Sequence, residues 1–196
     1  MTTHAILRIQ FTGFWVAGTG TSRGRHVDVV AHRDRDELPA MPMSQVKGQL
    51  RETGARLAAG RSAGWTSTRL ETLFGTRTRP RTDQMGSEDT NAGSLAFRGE
   101  ARLPDAIRAA LRADRERLFR RLAATRIDDN GVAEDKTLRA IEAVVPLTLE
   151  GAVVWIGTAP PPKDWVHWLD EICAATLAFG KLKTDGYGRA IAECVA

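Results

Sequence analysis

Apolar residues recur along this chain with two periods, and the switches between them predict most of its elements. Over 6–14, Leu7, Ile9 and Phe11 lie between Ile6, Arg8, Gln10 and Thr12, which predicts an opening strand. Val46, Leu50 and Leu57 follow at helical spacing, so a first helix is expected over 44–59 with Ser44 as its N-cap. Residues 65–74 fit a strand, a short helix or an irregular connector. Apolar residues are scarce over 77–91, which predicts a loop. Leu95, Phe97, Ala101 and Leu103 predict a strand. Pro104 and Asp105 open a segment in which Ile107, Leu111, Leu118, Phe119 and Leu122 fall largely on one helical face. The apolar run 144–156, broken at Glu150 and Gly151, reads as a hairpin of two strands ended by Pro160, Pro161 and Pro162. Trp165, Trp168, Leu169, Ile172 and Leu177 predict a last amphipathic helix, and 189–195 a closing strand.

Strand, helix, strand, strand, helix, strand is the split βαβ order of the ferredoxin-like plan, shared with RNA-recognition modules. An α+β fold with an RRM-like βαββαβ core is therefore expected. The 196 residues, 42% of them hydrophobic, suffice for one sizeable core, so residues 1–196 are expected to form a single domain. Insertions are expected at about 18–43, 77–91 and 104–139, and loops of that length in a compact domain are usually functional or disordered. The plan also leaves an open sheet face and its loops to single-stranded RNA.

Charge strengthens the case for a polyanion partner. Lys plus Arg number 28 against 24 Asp plus Glu, a net charge of +4 and a sequence pI near 9.5, which falls short of a histone-like binder. Nine arginines lie between Arg98 and Arg126. Cys173 and Cys194 make neither a disulfide framework nor a metal knuckle and are expected to be buried thiols. No stretch approaches the roughly 18 to 20 apolar residues of a membrane span, and the first residues lack a cationic then apolar leader pattern. A soluble, cytoplasmic protein with no membrane partner is expected.

Chemistry concentrates in two loops. Residues 180–189 carry three glycines, Gly180, Gly186 and Gly188, with the cations Lys181, Lys183 and Arg189 and the aromatic Tyr187. Glycines allow close backbone approach, and N–H groups beside cations suit a sugar-phosphate backbone. The glycine-rich stretch 18–24 is not followed by Gly-Lys-Ser/Thr, so it is not a Walker A loop. Lys47 and Arg51, four apart, share a helix face near an N-terminus, where the macrodipole favours an anion.

Six segments, in order, carry a family resemblance. Residues 41–51, Met-Pro-Met-Ser-Gln-Val-Lys-Gly-Gln-Leu-Arg, resemble the I-P-G-S-S-L-K-G-x-L-R segment of the repeat-associated (RAMP) superfamily of CRISPR effectors. Leu73-Phe74-Gly75 is similar to its hydrophobic-F-G element, and 93–97 to its G-x-L-x-F strand. Residues 125–133 resemble I-D-R-x-T-G-x-A, 142–146 resemble E-x-V-P, and 180–189 resemble the C-terminal G-G-x-x-S-x-G-Y-G-R. Within the superfamily, 27–34 is similar to the I-D-S-P-V-I-R-D loop of the repeated backbone subunit of type III complexes.

That resemblance implies a subunit that binds guide RNA (crRNA), associates with copies of itself along it and with other effector subunits, and cleaves complementary target RNA. Asp28 would be the catalytic position and the holder of a divalent metal, Mg²⁺ or Mn²⁺, because a lone carboxylate with a pKa near 4 is a poor base at neutral pH. His26 and His32 flank it as accessory acid or base candidates. Ser44, Lys47, Arg51, Lys181, Lys183, Tyr187 and Arg189 would contact the guide, with Gly186 and Gly188 as hinges, and Arg126 would contact RNA from the thumb side. Three alternatives stay open. They are a guide-binding subunit without chemistry, a metal-free guide-processing endoribonuclease using His26 or His32 with Tyr187, and an unrelated RNA-recognition-like domain.

Overall fold

The computed structural model of the chain describes residues 2–18, 29–60, 64–76, 92–125, 130 and 139–196. Strand β1 (His4–Phe11) alternates strictly, burying Ala5, Leu7, Ile9 and Phe11 and turning Ile6, Arg8 and Gln10 outward. It is an inner strand of the main sheet. On one side it pairs antiparallel with β7 (Thr148–Trp155), and on the other with β8 (Ala190–Val195), so that Leu7 faces both Gly151 and Cys194. Beyond β7 lie the short antiparallel strands β3 (Leu95–Phe97) and β4 (Glu100–Arg102), and β2 (Ala40–Pro42) pairs with β4. Helices α1 (Met43–Ala59) and α4 (Trp165–Ala175) cover the inner face, burying Met43, Val46 and Leu50 from one and Trp165, Leu169 and Ile172 from the other. Each such side chain taken out of water contributes about 1.5–3 kcal/mol. Taken in chain order, β1, α1, the β3 and β4 pair, β7, α4 and β8 make a ferredoxin-like core within an α+β fold.

Residues 65–74 resolve as a helix, α2 (Ser67–Phe74). Thr66 caps it, its hydroxyl accepting the Arg69 N–H at 3.2 Å, and Gly75 ends it at φ +85°. Ser44 is not a cap. It is the second residue of α1, whose N-cap is Pro42, because β2 runs straight into the helix and the fixed ring angle of proline sets the change of direction.

Two apolar runs fold differently from their periodicity. The helical pattern after Pro104 continues only through α3 (Asp105–Ala113), and after a turn at Arg115–Leu118 the chain becomes β5 (Phe119–Ala124). Its partner is β6 (Arg139–Val144), in a two-stranded sheet separate from the core. The pairing satisfies backbone groups with residues some twenty positions away, which a helical wheel cannot register. Likewise Glu150 and Gly151 sit within β7, not at a turn. A Cβ at Gly151 would stand 2.5 Å from Met43 Sδ, so the first side chain of α1 packs directly on this point of the strand. The chain instead breaks between β6 and β7.

The open face of the main sheet is not an aromatic platform. Arg8 reaches across it to Glu150 at 3.0 Å and to Glu193 at 2.6 Å, with Ile6, Gln10 and Ile191 around them. Two carboxylates against one guanidinium offer little to a phosphate chain.

Candidate nucleic-acid interface

Helix α1 organises the cationic surface. Its core face carries Met43, Val46, Leu50, Thr53 and Gly54. At about 100° per residue the opposite crest carries Ser44 and Gly48, both exposed, with nothing within 4 Å of a Cβ placed on Gly48. Lys47 and Arg51 fall on one flank of that crest, and Gln45, Gln49 and Glu52 on the other. On the first flank, Ser44 and Lys47 line a groove of about 540 Å³ with Phe97, Arg98 and Ile156. Arg51 donates to the Gly75 carbonyl at 2.9 Å, a cation at the C-terminal end of α2. Burial pulls the Lys47 ammonium below the ordinary lysine pKa, and the nearby Arg51 charge adds to the effect. A phosphate beside Lys47 would oppose both effects by favouring the charged ammonium.

The other flank holds the C-terminal loop. Gln49 donates to the Gly180 carbonyl at 2.9 Å and accepts the Gly180 N–H at 3.2 Å, while Gln45 donates to the Gly18 carbonyl at 3.2 Å. Lys181 N–H donates to Val16, and the Lys181 side chain lies over Gly18. Lys183 approaches Glu52 at 3.9 Å. The loop thus closes on itself and on the end of β1. Gly188, at φ +78°, leaves no room for a Cβ beside the Phe179 carbonyl, and Gly188 N–H donates to Phe14 at 2.8 Å. Gly186, at φ +87°, faces open space. The Arg189 carbonyl accepts the Thr12 N–H at 2.9 Å, and its side chain is exposed. Tyr187 is half-buried against a small apolar cluster of Val16, Ile141 and Ala143, joined by Val29, Leu122 and Leu182.

That cluster links three parts of the chain: the C-terminal loop, the β5 and β6 hairpin, and the segment after Asp28. Asp28, His26 and Arg126 lie outside the described residues, as does the loop 77–91. The segment resumes at Val29 and is tightly framed. Asp34 accepts the N–H groups of Asp36 and Leu38 at 2.8 and 3.1 Å, and its other oxygen lies 2.7 Å from Arg108. Arg108 also meets Asp36 at 2.6 Å, and Arg112 meets Asp36 at 2.7 Å. Hydrogen bonds from Arg108 and then Arg112 hold the Asp36 carboxyl below its ordinary pKa. His32 pairs with Glu100 at 2.6 Å in a groove of about 590 Å³ lined also by Arg98 and Arg102. Its ring and that of Tyr187 sit in separate surroundings, so the described residues do not assemble a His32 and Tyr187 acid-base pair.

The structure therefore brings Ser44, Lys47, Arg51, Lys181 and Lys183 around one helix crest. Sequence reasoning missed the residues that hold them there, Gln45 and Gln49, although two glutamines four apart beside the core positions Val46 and Leu50 are a readable signal. Among the described residues no group of three or more His, Cys, Asp or Glu side chains could hold a metal ion. Nor is any helix among them long and apolar enough to cross a membrane.

No protein-family model matches the chain, and no curated protein matches it. Solved structures do. A chain of the cryo-EM structure of the type III-B Cmr-beta bound to cognate target RNA is similar with a TM-score of 0.67 at 11% identity, covering 98% of this chain and 97% of that chain. A chain of the type III-B Cmr-beta apo state is similar with a TM-score of 0.63 at 11% identity, with the same 98% and 97% coverage. At that identity the likeness establishes the fold.

Proposed function

We propose that this chain is a backbone subunit of a type III CRISPR effector, of the RAMP superfamily, which binds guide RNA along α1 and cleaves complementary target RNA with Asp28. One observation carries the binding half. The glycine-poor flank of α1 and the glycine-rich C-terminal loop are locked side by side through Gln49 and Gly180, so cations stand on both sides of the bare crest at Gly48. A ribose-phosphate strand can lie against the crest where Gly48 leaves it bare, beside the small Ser44, with Lys47 on one side and Lys181 and Lys183 on the other. Similarity over nearly the whole chain to a structure bound to target RNA supports the same reading.

Strand cleavage needs the ribose 2′-hydroxyl in line with the scissile phosphate, its proton removed and the charge on phosphorus offset. In this reading the α1 crest fixes the guide, pairing with the guide fixes the target, and the Asp28 carboxylate stands at the target strand. A divalent cation, Mg²⁺ or Mn²⁺, would supply charge neutralisation at phosphorus. Among the described residues no cluster of His, Cys, Asp or Glu side chains forms a site for one.

Two measurements test the proposal. Nucleic acid that copurifies with the full chain should sequence as a repeat-derived guide, and random cellular RNA there would remove the guide-binding reading. In the complex assembled on that guide, Asp28→Ala should abolish target cutting and leave guide binding intact. Wild-type cutting by Asp28→Ala would leave a guide-binding subunit without this chemistry.

A further inference from the structure

We propose that the groove between α1 and β3 takes one nucleobase of the bound RNA strand and stacks it on Phe97. This role rests on the RNA-binding half of the reading above and deepens it, and it does not depend on target cleavage.

The groove, of about 540 Å³, has an apolar floor and a cationic rim. Phe97 is half-buried at the end of β3, and its ring lies on that of Phe74 with centroids 5.9 Å apart and planes 21° from parallel. Ile156, just past β7, lines the same groove and is 51% exposed. Lys47 and the exposed Arg98 supply the cations, and among the described residues no carboxylate lines the groove. The groove around His32 differs, since Glu100 and Glu150 there offset Arg98 and Arg102.

The walls are held from behind. A Cβ on Gly93 would collide with the Phe74 backbone, so the approach to β3 lies directly on the end of α2. The Ser94 N–H donates to the Thr72 carbonyl at 2.9 Å, and the Ser94 carbonyl accepts the Ile156 N–H at 2.7 Å. Phe97 and Ile156 are thereby set side by side before anything binds. Two cations without a carboxylate favour an anionic occupant, and the apolar floor favours one with a flat, weakly polar face. A nucleotide has both parts, and stacking on an aromatic ring tolerates any base. Lys47 belongs both to this rim and to the flank of the α1 crest, so a nucleotide whose phosphate meets Lys47 brings its base to the groove.

The test uses the full chain and two probes with the same phosphates, a uridylate octamer and that octamer without its bases. Affinities are measured for wild type, Phe97→Leu, Ile156→Ala and Lys47→Ala. Wild type should bind the uridylate octamer about 5- to 150-fold more tightly, the worth of one base stacked on an aromatic ring. Phe97→Leu should lose most of that preference and Ile156→Ala part of it, each with unchanged affinity for the base-free octamer. Lys47→Ala should weaken both octamers alike, because it removes a phosphate contact. A 5-iodouridine octamer irradiated on wild type should cross-link to the peptide that contains Phe97. Equal affinity of wild type for the two octamers overturns the proposal and leaves the groove to a protein partner. A preference that survives both Phe97→Leu and Ile156→Ala also overturns it. So does a fall of both affinities together in Phe97→Leu, which marks a merely structural role. Should Phe97→Leu fail to fold, Ile156→Ala decides, since that side chain is exposed. If neither octamer binds wild type at low salt, the RNA-binding reading itself fails and this site falls with it. Salt-dependent binding of both octamers with no base preference refutes the base site alone.

Discussion

Gln49 holds the peptide of Gly180 at both ends, donating to its carbonyl at 2.9 Å and accepting its N–H at 3.2 Å. Helix α1 and the loop before β8 are 131 residues apart in sequence, and this side chain makes them one surface. The α1 crest would otherwise be an ordinary solvated helix face. With the loop fixed beside it, Lys181 and Lys183 join Lys47 around the small residues Ser44 and Gly48.

Gln49→Ala should therefore act at two levels. Gly180 is buried, so both of its backbone groups would lose their partner, and leaving a buried polar group unpaired costs about 1–3 kcal/mol. Thermal unfolding should show a lower Tm. Guide affinity should also fall although no cation has been removed, and a variant with lowered Tm but unchanged affinity would detach the loop from the binding surface.

Charge reversal at Lys47 or Lys183 should weaken RNA binding about equally across sequences, because phosphate contacts carry no base information. Each lost contact should flatten the slope of log K against log salt by about 0.7 for a single strand. The two positions need not be equal. Lys183 already has Glu52 at 3.9 Å, whereas Lys47 is partly desolvated with only a like charge acting on its pKa, so Lys47→Glu should cost more. Affinity that ignores salt in both variants would count against the crest as the binding surface.

The elements that sequence pattern made legible are those whose period is imposed by the main core. Strand β1 alternates because one face is buried throughout, and α1 and α4 repeat at helical spacing because each lays one stripe on the same sheet. Phe119 and Leu122 read as helical because residues three apart share a helix face, whereas in β5 they fall on opposite faces, Phe119 on the main core and Leu122 on the smaller Ile141 cluster. What makes them a strand is β6, whose pairing with Phe119–Ala124 is a tertiary fact. Glu150 and Gly151 read as a turn because a glycine packed under Met43 within a strand looks the same in sequence as one that bends the chain. At the candidate site, the cations and glycines were visible as residue types, but the ties that Gln45 and Gln49 make to Gly18 and Gly180 were not. Polar side chains that tie distant backbone together carry no periodicity to read.

The glycines of the C-terminal loop separate under substitution. Gly188 and Gly186 both have positive φ, where an L side chain costs about 1–2 kcal/mol. Only at Gly188 would a Cβ also drive into the Phe179 carbonyl. Gly188→Ala should prevent loop closure and lower Tm sharply, while Gly186→Ala should lose no more than its backbone strain. Equal losses of Tm would mean that contact with Phe179 is not what selects Gly188.

Acid should loosen the frame around residues 34–38. The Asp36 carboxyl is held below its unfolded pKa of 3.8 by Arg108 and Arg112. A depressed carboxyl contributes stability above the unfolded value and loses it as pH falls through the folded one. Below pH 3.8 the wild type should therefore lose stability more steeply than Asp36→Asn, which has no such proton to take up. Denaturant titrations from pH 5 to about 2 would show it. Parallel curves would mean that the Asp36 contacts do not persist in solution.

The two cysteines offer a probe of the core that is independent of RNA. Cys173 lies on the buried face of α4 and Cys194 on the inner face of β8, where its N–H donates to Asp170 at 2.8 Å. Burial, followed by the Asp170 charge, pushes the Cys194 thiol up to about 12, and burial pushes Cys173 up as well. The thiolate is the reactive form. At pH 8 the folded protein should therefore leave both thiols unmodified by a disulfide reagent, while guanidinium-unfolded chain reacts at both. Residual reaction of the folded protein must then pass through opening, so the logarithm of its rate should rise in Gln49→Ala or Gly188→Ala in proportion to the stability lost if opening is global. Rapid, stoichiometric labelling of native protein would contradict the packing of α4 on β8 and with it the edge of the ferredoxin-like core.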